Sequence, residues 1–449
     1  AFTRVNPAYV SFLAIVDSDL GNGSVRVELP RGFVGGLDRS VFDLEARTSS
    51  GEVWVRDAVG AAALFDLVVA RNEAGLTRST VDVDGRAITI AGWEDDPEWI
   101  AYAENTVRWG VPLMADLTGQ PWPENDLEVL ESTVPAEFGY GGWFSVWQSE
   151  IEVGDQLDES LMLHELAHAW FHDERLEDRW MYEGWAEDFS NLALSMQTGE
   201  AISPPVPDLD APGVTELAQW GPYDDFDAIS NRYDTSWYVL HTLREEIGTE
   251  ATAEVLAAIF EGRSSYGVDG EASVFPATGS ARLLDLFENV GGSELAAEMF
   301  RTYVFPPSTT RALDQRDQSR AAYEELLAVG DYAAPPAVRD RLSKWKFAEA
   351  DLLIAEALPV AQRIAALEAR TEALDADAPV RLIADYEAGA SMRTLTADLD
   401  RAEAALEDIE AIDDDDERQV RLARFSAGVF TSPAESAALE DDGLSTTTY

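Results

Sequence analysis

The sequence predicts an α+β protein with a β-rich segment first, a mixed segment in the centre and a helical segment last. Residues 1–96 place β-branched residues between Gly, Asn and Asp, a pattern typical of strands and turns. The central stretch Leu161 to Leu194 has helical apolar periodicity and carries three of the four histidines in the chain. Residues 307–430 repeat apolar side chains at a spacing typical of packed helices.

The first segment contains several short strand patterns. Val25–Leu29, Val53–Val55 and Ala87–Ile90 alternate or cluster β-branched residues, and Ala61–Ala70 fits either a strand or a short helix. We therefore expect a small β-rich N-terminal domain over residues 1–96.

The second segment, residues 97–306, begins with a predicted helix from Asp96 that ends between Leu117 and Gly119. The strand Leu127–Leu130 follows, and after it comes a glycine-rich stretch that reads as an edge strand. A glycine-rich edge strand can pair with the backbone of a peptide. The expected substrate-binding residues on it are Gly139, Tyr140, Gly141 and Gly142.

A His-Glu-x-x-His motif opens the central stretch. His164 and His168 are four residues apart, so on a helix both imidazoles leave the same face, about 6 Å apart along the axis. Two neutral imidazoles so placed can hold Zn²⁺, and Glu165 can take a proton from a water that the metal activates. The alternative is a surface helix with two incidental histidines.

A catalytic zinc site needs a third protein ligand and an open position. Glu183 and Glu187, on a second predicted helix, are four residues apart and share a face. One of them can bind the metal while the other accepts the second N–H of a ligating histidine. Spacing alone leaves the assignment between them open.

The two motifs together resemble those of a known family. H-E-L-A-H-A-W-F followed by W-x-x-E-G-W-A-E is similar to the gluzincin zinc metallopeptidases of the aminopeptidase-N type. The resemblance implies a thermolysin-like catalytic domain over residues 97–306, one Zn²⁺ per chain and a peptide or protein substrate. In that family the Glu directly before Gly binds the metal, which implies Glu183 as ligand and Glu187 as its neighbour beside a histidine. The family's usual gap after the second histidine would favour Glu187, but the local motif favours Glu183.

The resemblance also implies an oxyanion donor. The family has a Tyr that donates a hydrogen bond to the oxyanion of the reaction, and Tyr233 matches it. The family has no metal ligand at the position of His172, so we expect His172 to be solvated. His241, in the middle of a predicted helix, is expected to be a core residue.

One departure from the family concerns the substrate's amino terminus. The family's Gly-Ala-Met-Glu-Asn motif supplies a Glu that binds the free amine, and an ungapped count places Tyr140 opposite that Glu. We therefore expect cleavage within peptides rather than stepwise removal of amino-terminal residues. Two alternatives stay open: an aminopeptidase with an amine anchor rebuilt from Glu137 or Glu187, and an inactive peptidase-like fold that serves as a surface or assembly module.

The composition excludes several partners. The chain has 85 acidic and 32 basic residues, a net charge of −53, so we expect neither nucleic acid nor anionic lipid to bind. Only two of the basic residues are lysines, which fits a high-salt habitat or a GC-rich genome equally well. No apolar run reaches the roughly 18 residues that a membrane span needs. Without cysteine the chain has no disulfides and no thiol chemistry.

Two expectations concern location and the last segment. The chain begins at Ala1 rather than Met, which is typical of a processed protein that is secreted or lies at the cell surface. Apolar residues recur every seven positions from Leu353 to Leu374 and at 3–4 spacing from Met392 to Ile409. These patterns predict an antiparallel helical hairpin within residues 307–430, a possible surface for a protein partner. Residues 431–449 are predicted to be a flexible tail.

Overall fold

The protein is a mixed α+β chain in which β-sheets come first and a mostly helical region follows. The sequence predicts this fold class, and the structure confirms it. One compact unit contains residues 1–262 and 276–304, and the other contains residues 263–275 and 305–449. The computed structural model describes residues 5–6, 9–16, 23–31, 33–35, 43–58, 64–72, 75–137, 139–221, 226–268, 270–272 and 275–430.

The predicted tail, residues 431–449, lies outside the described residues, as do residues 61–63 of the ambiguous strand or helix. The rest of that ambiguous segment is a strand. The predicted domain limits stay a prediction.

The described strands form three sheets, all in the first unit. Their orders are β1-β2-β7-β4, β3-β6-β5 and β11-β12-β10-β9-β8. The strands are β1 Val5–Asn6, β2 Tyr9–Val16, β3 Gly23–Pro30, β4 Phe33–Gly35, β5 Asp43–Thr48, β6 Gly51–Ala58, β7 Leu64–Asn72, β8 Leu76–Val83, β9 Arg86–Trp93, β10 Asp126–Glu131, β11 Gly142–Ser145 and β12 Glu150–Val153.

The five-stranded sheet carries one wall of the candidate site. β8 and β9 form an antiparallel hairpin whose turn residues, Asp84 and Gly85, both have positive φ, as a two-residue hairpin turn requires. β9, β10 and β12 run parallel, and β11 pairs antiparallel with β12 at the edge. Pairing therefore crosses residue 96, where the sequence predicts the end of the first domain. Strand alternation alone does not show which strands will pair.

The helices of the first unit follow from local signals. Asp96 caps the first helix by accepting a hydrogen bond from the Trp99 amide at 3.1 Å, and Gly119 ends it with φ 66°. The helices are α1 Pro97–Thr118, α2 Val134–Glu137, α3 Glu159–Ala167, α4 Arg179–Thr198, α5 Phe226–Phe260, α6 Ser280–Asn289 and α7 Ala296–Met299, with a 3₁₀ turn at Leu217–Gln219 and a π turn at Phe300–Val304.

A contact with α1 and a capping residue hold α3 in place. A Cβ at Gly110 of α1 would lie 2.4 Å from a methyl carbon of Leu163, so a larger residue there would force the Leu163 side chain on α3 to move. The Asp158 carboxylate caps α3 by accepting from the amides of Ser160 and Leu161 at 3.0 and 3.3 Å. Both contacts fix the helix that carries the His-Glu-x-x-His motif.

The second unit is helical, but the predicted antiparallel hairpin is wrong. Its helices are α8 Pro307–Leu327, α9 Pro336–Ser343, α10 Phe347–Glu372, α11 Val380–Glu387, α12 Met392–Glu410 and α13 Asp415–Ser426. Arg363 of α10 pairs with Glu403 of α12, and Arg370 pairs with Glu410. In each pair the glutamate comes 40 residues after the arginine. The sequence separation between facing residues stays constant only when the two helices run parallel. The reason is the connector: it forms α11, which carries the chain back before α12 begins.

The apolar stripes on α10 and α12 are buried as their spacing predicts. Val360, Ile364 and Leu367 of α10 share a core with Leu399 and Leu406 of α12. In the described part of the chain, no helix is both long enough and apolar enough to cross a membrane.

Candidate metal centre

Three ligand atoms meet where α3 faces α4. His164 and Glu183 lie on the two helices, and His168 caps the C-terminus of α3. The two Nε2 atoms are 3.2 Å apart, and Glu183 Oε2 lies 3.4 Å from each of them. A tetrahedral ion with bonds of about 2.0–2.1 Å separates its ligand atoms by about 3.3 Å. This group could therefore hold a metal ion without rearrangement.

Both imidazoles are oriented through their second nitrogen. His168 Nδ1 lies 2.8 Å from the Phe171 carbonyl oxygen, and His164 Nδ1 lies 2.9 Å from Glu187 Oε2. A carbonyl only accepts, so Nδ1 of His168 carries a proton, and once Nε2 has lost its own proton the Nε2 lone pair faces the ligand group. Asn191, which the sequence does not single out, donates to Glu187 Oε1 at 2.9 Å. Glu187 therefore contacts the outer nitrogen of His164, whereas Glu183 faces the inner nitrogens of both histidines.

Burial and hydrogen bonding set the charges of these residues. Burial disfavours an ionised Glu183, but hydrogen bonds from His164 and His168 outweigh it and hold the pKa of Glu183 far below its usual range. Burial also disfavours the His164 cation, yet its hydrogen bonds to Glu183 and Glu187 hold the pKa of His164 well above its usual value. A metal ion must displace that proton, so binding will depend on pH.

Glu165 lies beside the ligand group at the edge strand. Its side chain is buried, and burial raises the pKa of its carboxyl group. A Cβ at Gly142 would lie 3.0 Å from Glu165 Cγ and 3.1 Å from Oε1, so the glycine leaves room for this carboxylate. A Cβ at Gly141 would lie 2.7 Å from a methyl carbon of Leu161. Both glycines thus let β11 approach α3.

A cleft of about 860 Å³ opens over the ligand group. Every predicted site residue lines it: Gly139, Tyr140, Gly141, Gly142, His164, Glu165, His168, Glu183, Glu187 and Tyr233. The structure brings them together from β11, α3, α4 and α5 and from the loop before β11. Their chemical roles stay a prediction.

Tyr233 reaches the cleft from α5. A Cβ at Gly184 of α4 would lie 2.8 Å from the Ser236 carbonyl oxygen, so α4 and α5 pack with almost no space between their backbones. The Tyr233 ring lies 6.4 Å from the His164 ring, measured between centroids. Burial raises the pKa of Tyr233, so its phenol stays neutral and can donate a hydrogen bond.

The cleft also contains residues that the sequence does not single out. Arg179 contacts Glu183 and Tyr233, and Glu152 on β12 accepts from the Trp143 indole at 3.2 Å. Arg179 and Glu183 are one helical turn apart, a spacing that could have suggested their pairing. Nothing in the sequence indicates that Glu152 faces the cleft.

The expectation that His172 is solvated is wrong. His172 is 8% exposed and lines the cleft, because α3 ends before it and its ring lies 6.4 Å from the ring of Phe144 on β11. Among the described residues its Nδ1 has no hydrogen-bond partner. Burial, together with the positive charge of Arg175, lowers the pKa of His172 to about 4.

His241 lies outside the ligand group. Its Nδ1 is 2.9 Å from Asp188 Oδ1, and Arg244 Nε donates to the other oxygen of the same carboxylate at 2.5 Å. The expectation that His241 is a core residue is wrong: its side chain is 21% exposed, and its partners are the charged groups of Asp188 and Arg244.

Comparisons with known proteins give a distant likeness. No family model matches the chain, and no curated protein matches it. The M1 zinc metallopeptidase from Deinococcus radiodurans is similar at 18% identity and a TM-score of 0.37, over 64% of this chain and 63% of that chain. A mutant of that metallopeptidase bound to a Tyr-Ser-Ala substrate gives 17% identity and a TM-score of 0.36, over 64% and 65%. The chain thus spans less than two thirds of these structures, and TM-scores below 0.5 assign it to no family.

Proposed function

We propose that this protein is a zinc-dependent peptidase that hydrolyses peptide bonds. The observation that carries the proposal is the spacing of 3.2 to 3.4 Å between three ligand atoms, two histidine nitrogens and one glutamate oxygen. The outer nitrogen of each histidine already has a hydrogen-bond partner. Two imidazoles and one carboxylate with an open fourth position are a usual ligand set for catalytic Zn²⁺. His164, His168 and Glu183 would hold the ion.

The surrounding residues support hydrolysis. A bound zinc ion would supply a Lewis acid that polarises a carbonyl group and acidifies a water molecule. Glu165 accepts the proton of the attacking water and passes it to the leaving amine nitrogen. Tyr233 donates its O–H to the carbonyl oxygen as negative charge develops there.

The edge strand supports a peptide as the substrate. β11 is the first strand in its sheet and pairs on one side with β12, and its residues line the cleft. No described strand pairs with its other edge, so an extended peptide can add there through backbone hydrogen bonds. Trp147, in the turn after β11, is 88% exposed at the same cleft and offers an apolar surface to substrate side chains.

We propose that cleavage occurs within peptides. A tyrosine offers no negative charge at this position, and the Arg179 guanidinium in the same cleft would repel an α-ammonium group. Glu187 is held by His164 and Asn191, and the side chain of Glu137 lies outside the described residues. The aminopeptidase alternative is favoured by one observation, the Glu152 carboxylate in the cleft wall.

A pair of peptides tests the proposal. The zinc-loaded protein is incubated with one peptide in its free form and in its N-acetylated form, and the products are identified by mass. We expect internal cleavage of both forms at similar rates, and a Glu165→Gln variant that keeps its zinc but cleaves neither.

Each other outcome has a defined meaning. If acetylation abolishes cleavage, the protein is an aminopeptidase, and a raised KM in Glu152→Gln would locate its amine anchor. If the protein holds zinc and cleaves no member of a peptide library, the assembly-module alternative replaces the proposal.

A further inference from the structure

Arg179, the first residue of α4, links two residues of the cleft. Its Nε–H donates to Glu183 Oε1 at 3.2 Å, and one Nη2–H donates to the Tyr233 hydroxyl oxygen at 3.0 Å. Glu183 lies one turn further along α4, whereas Tyr233 comes from α5. One guanidinium group thus contacts both the Glu183 carboxylate of the ligand group and the Tyr233 phenol.

Aromatic contacts hold this guanidinium in place. It lies 4.7 Å above the ring of Trp220, and Trp220 meets the Tyr233 ring edge to face at 4.8 Å. Trp220 is buried, so Arg179 packs on a fixed apolar surface rather than extending into solvent. A cation over an indole ring at this distance is favourable, and the stacking restricts the guanidinium to one plane.

The contact with Glu183 decides which oxygen faces the histidines. Oε1 accepts from Arg179, and Oε2 is the atom that lies 3.4 Å from both Nε2 atoms. With one oxygen held by the guanidinium, the carboxylate presents a single oxygen to a metal ion. Without Arg179 the carboxylate could rotate about its last torsion, which is a soft one.

The contact with Tyr233 decides where its proton points. A guanidinium only donates, so the phenol oxygen must be the acceptor in this contact. The O–H of Tyr233 therefore remains available for a second partner. Tyr233 lines the cleft, so that partner can be a substrate oxygen.

We propose that Arg179 is a positioning residue that fixes the metal ligand Glu183 and the oxyanion donor Tyr233 together. This inference rests on the proposed peptidase function, but its contact with Glu183 can be tested without catalysis. Lysine cannot replace Arg179, because a single ammonium group lacks the planar fork that reaches both oxygens.

The first test measures zinc affinity by competition with a chromophoric chelator. Arg179→Leu should bind zinc about 10- to 100-fold more weakly than the wild type, as expected when the partner of a metal ligand is lost. Arg78→Leu is the matched control, since Arg78 pairs with Glu128 on the sheet and is not among the cleft residues. Arg179→Leu with wild-type zinc affinity would overturn the proposal.

The second test is a double-mutant cycle at saturating zinc. In the wild-type background Arg179→Leu should lower kcat about 10- to 100-fold with little change in KM, because the donor is misplaced. In the Tyr233→Phe background the same change should have a much smaller effect, because the group it positions is already gone. Equal effects in both backgrounds, or a change confined to KM, would contradict the proposal.

Two measurements keep the outcomes separable. Thermal melting of each variant detects loss of folding, and if Arg179→Leu does not fold, Arg179→Lys takes its place with the same expected directions and smaller effects. If the zinc-loaded wild type cleaves no peptide, the proposed function fails, while the zinc affinities still decide whether Arg179 holds Glu183.

Discussion

Two glutamates one turn apart on α4 lie on different sides of the two imidazole rings. Glu183 Oε2 lies 3.4 Å from both imidazole Nε2 atoms, whereas Glu187 Oε2 lies 2.9 Å from the outer nitrogen of one of them. An oxygen on the inner side can share a cation with the histidines. An oxygen on the outer side can only hold the ring and raise its basicity.

Removing the charge of each glutamate in turn should separate these tasks. Glu183→Gln should lose far more zinc affinity than Glu187→Gln, for which a loss of about 10- to 100-fold is expected. Metal content after dialysis against a graded chelator series measures both variants. Equal losses, or a greater loss in Glu187→Gln, would reverse the two assignments.

His172 should make the protein less stable in acid. Its pKa is about 4 in the folded protein and about 6.5 in the unfolded chain, because burial and Arg175 disfavour the cation and the nearby Asp173 does not compensate. As pH falls through 6.5 the unfolded chain takes up a proton first, so the free energy of unfolding decreases until pH reaches about 4. Above pH 6.5 the residue contributes no such pH dependence.

The comparison variant is His172→Gln, which does not titrate. Denaturant unfolding at pH 7 and pH 4.5 should show a larger loss of stability in the wild type than in the variant. Identical losses in the two proteins would mean that His172 is protonated as easily in the folded state as in the unfolded one.

At the scale of elements, α4 and α5 approach each other backbone to backbone beside the site. Gly184 permits it, because a Cβ there would lie 2.8 Å from the Ser236 carbonyl oxygen and 2.9 Å from a methyl carbon of Leu240. Backbone oxygen cannot move aside as the end of a side chain can. The distance between the two helices therefore depends on this one glycine.

Gly184→Ala should push α5 away from α4 and carry Tyr233 with it. We expect a loss of about 1–3 kcal/mol in the free energy of unfolding, the usual cost of overpacking, together with a lower kcat. Met196→Ala on the exposed face of α4 is the control and should change stability by less than about 0.5 kcal/mol. An unchanged kcat in Gly184→Ala would mean that the helix spacing does not set the Tyr233 position.

At the scale of the whole molecule, the net charge of −53 should make stability depend on salt. The 85 acidic residues outnumber the 32 basic ones, so most of the carboxylates have no basic residue to pair with, and repulsion outweighs attraction. Raising salt from about 0.01 to about 1 M shortens the Debye length from about 30 to about 3 Å and screens that repulsion.

The melting temperature should therefore rise with NaCl concentration. A parallel series in KCl separates screening from binding of a particular cation, since screening gives the same curve in both salts. A melting temperature that falls with salt would show that ion pairs outweigh the repulsion. A secreted or cell-surface location stays a prediction, as does a protein partner for the C-terminal helices.

The sequence by itself determined the local part of the candidate site. His164 and Glu165 lie on one helix and His168 is its C-terminal cap with helical backbone angles, so their relative positions follow from helical geometry. The Glu-Gly pair on α4 and Tyr233 on α5 could be named from motif, and the structure places all of them in one cleft. The apolar faces of α10 and α12 could also be predicted from the sequence, because each depends on a period within a single helix.

The tertiary structure alone decided everything that depends on where one element meets another. The Arg179 bridge to Tyr233, the burial of His172 and the room that Gly142 gives Glu165 involve residues from different elements. The parallel course of α10 and α12 was set by a connector that folds into its own helix. A sequence period fixes which face of an element is apolar, but packing and chain connectivity choose the element that covers it.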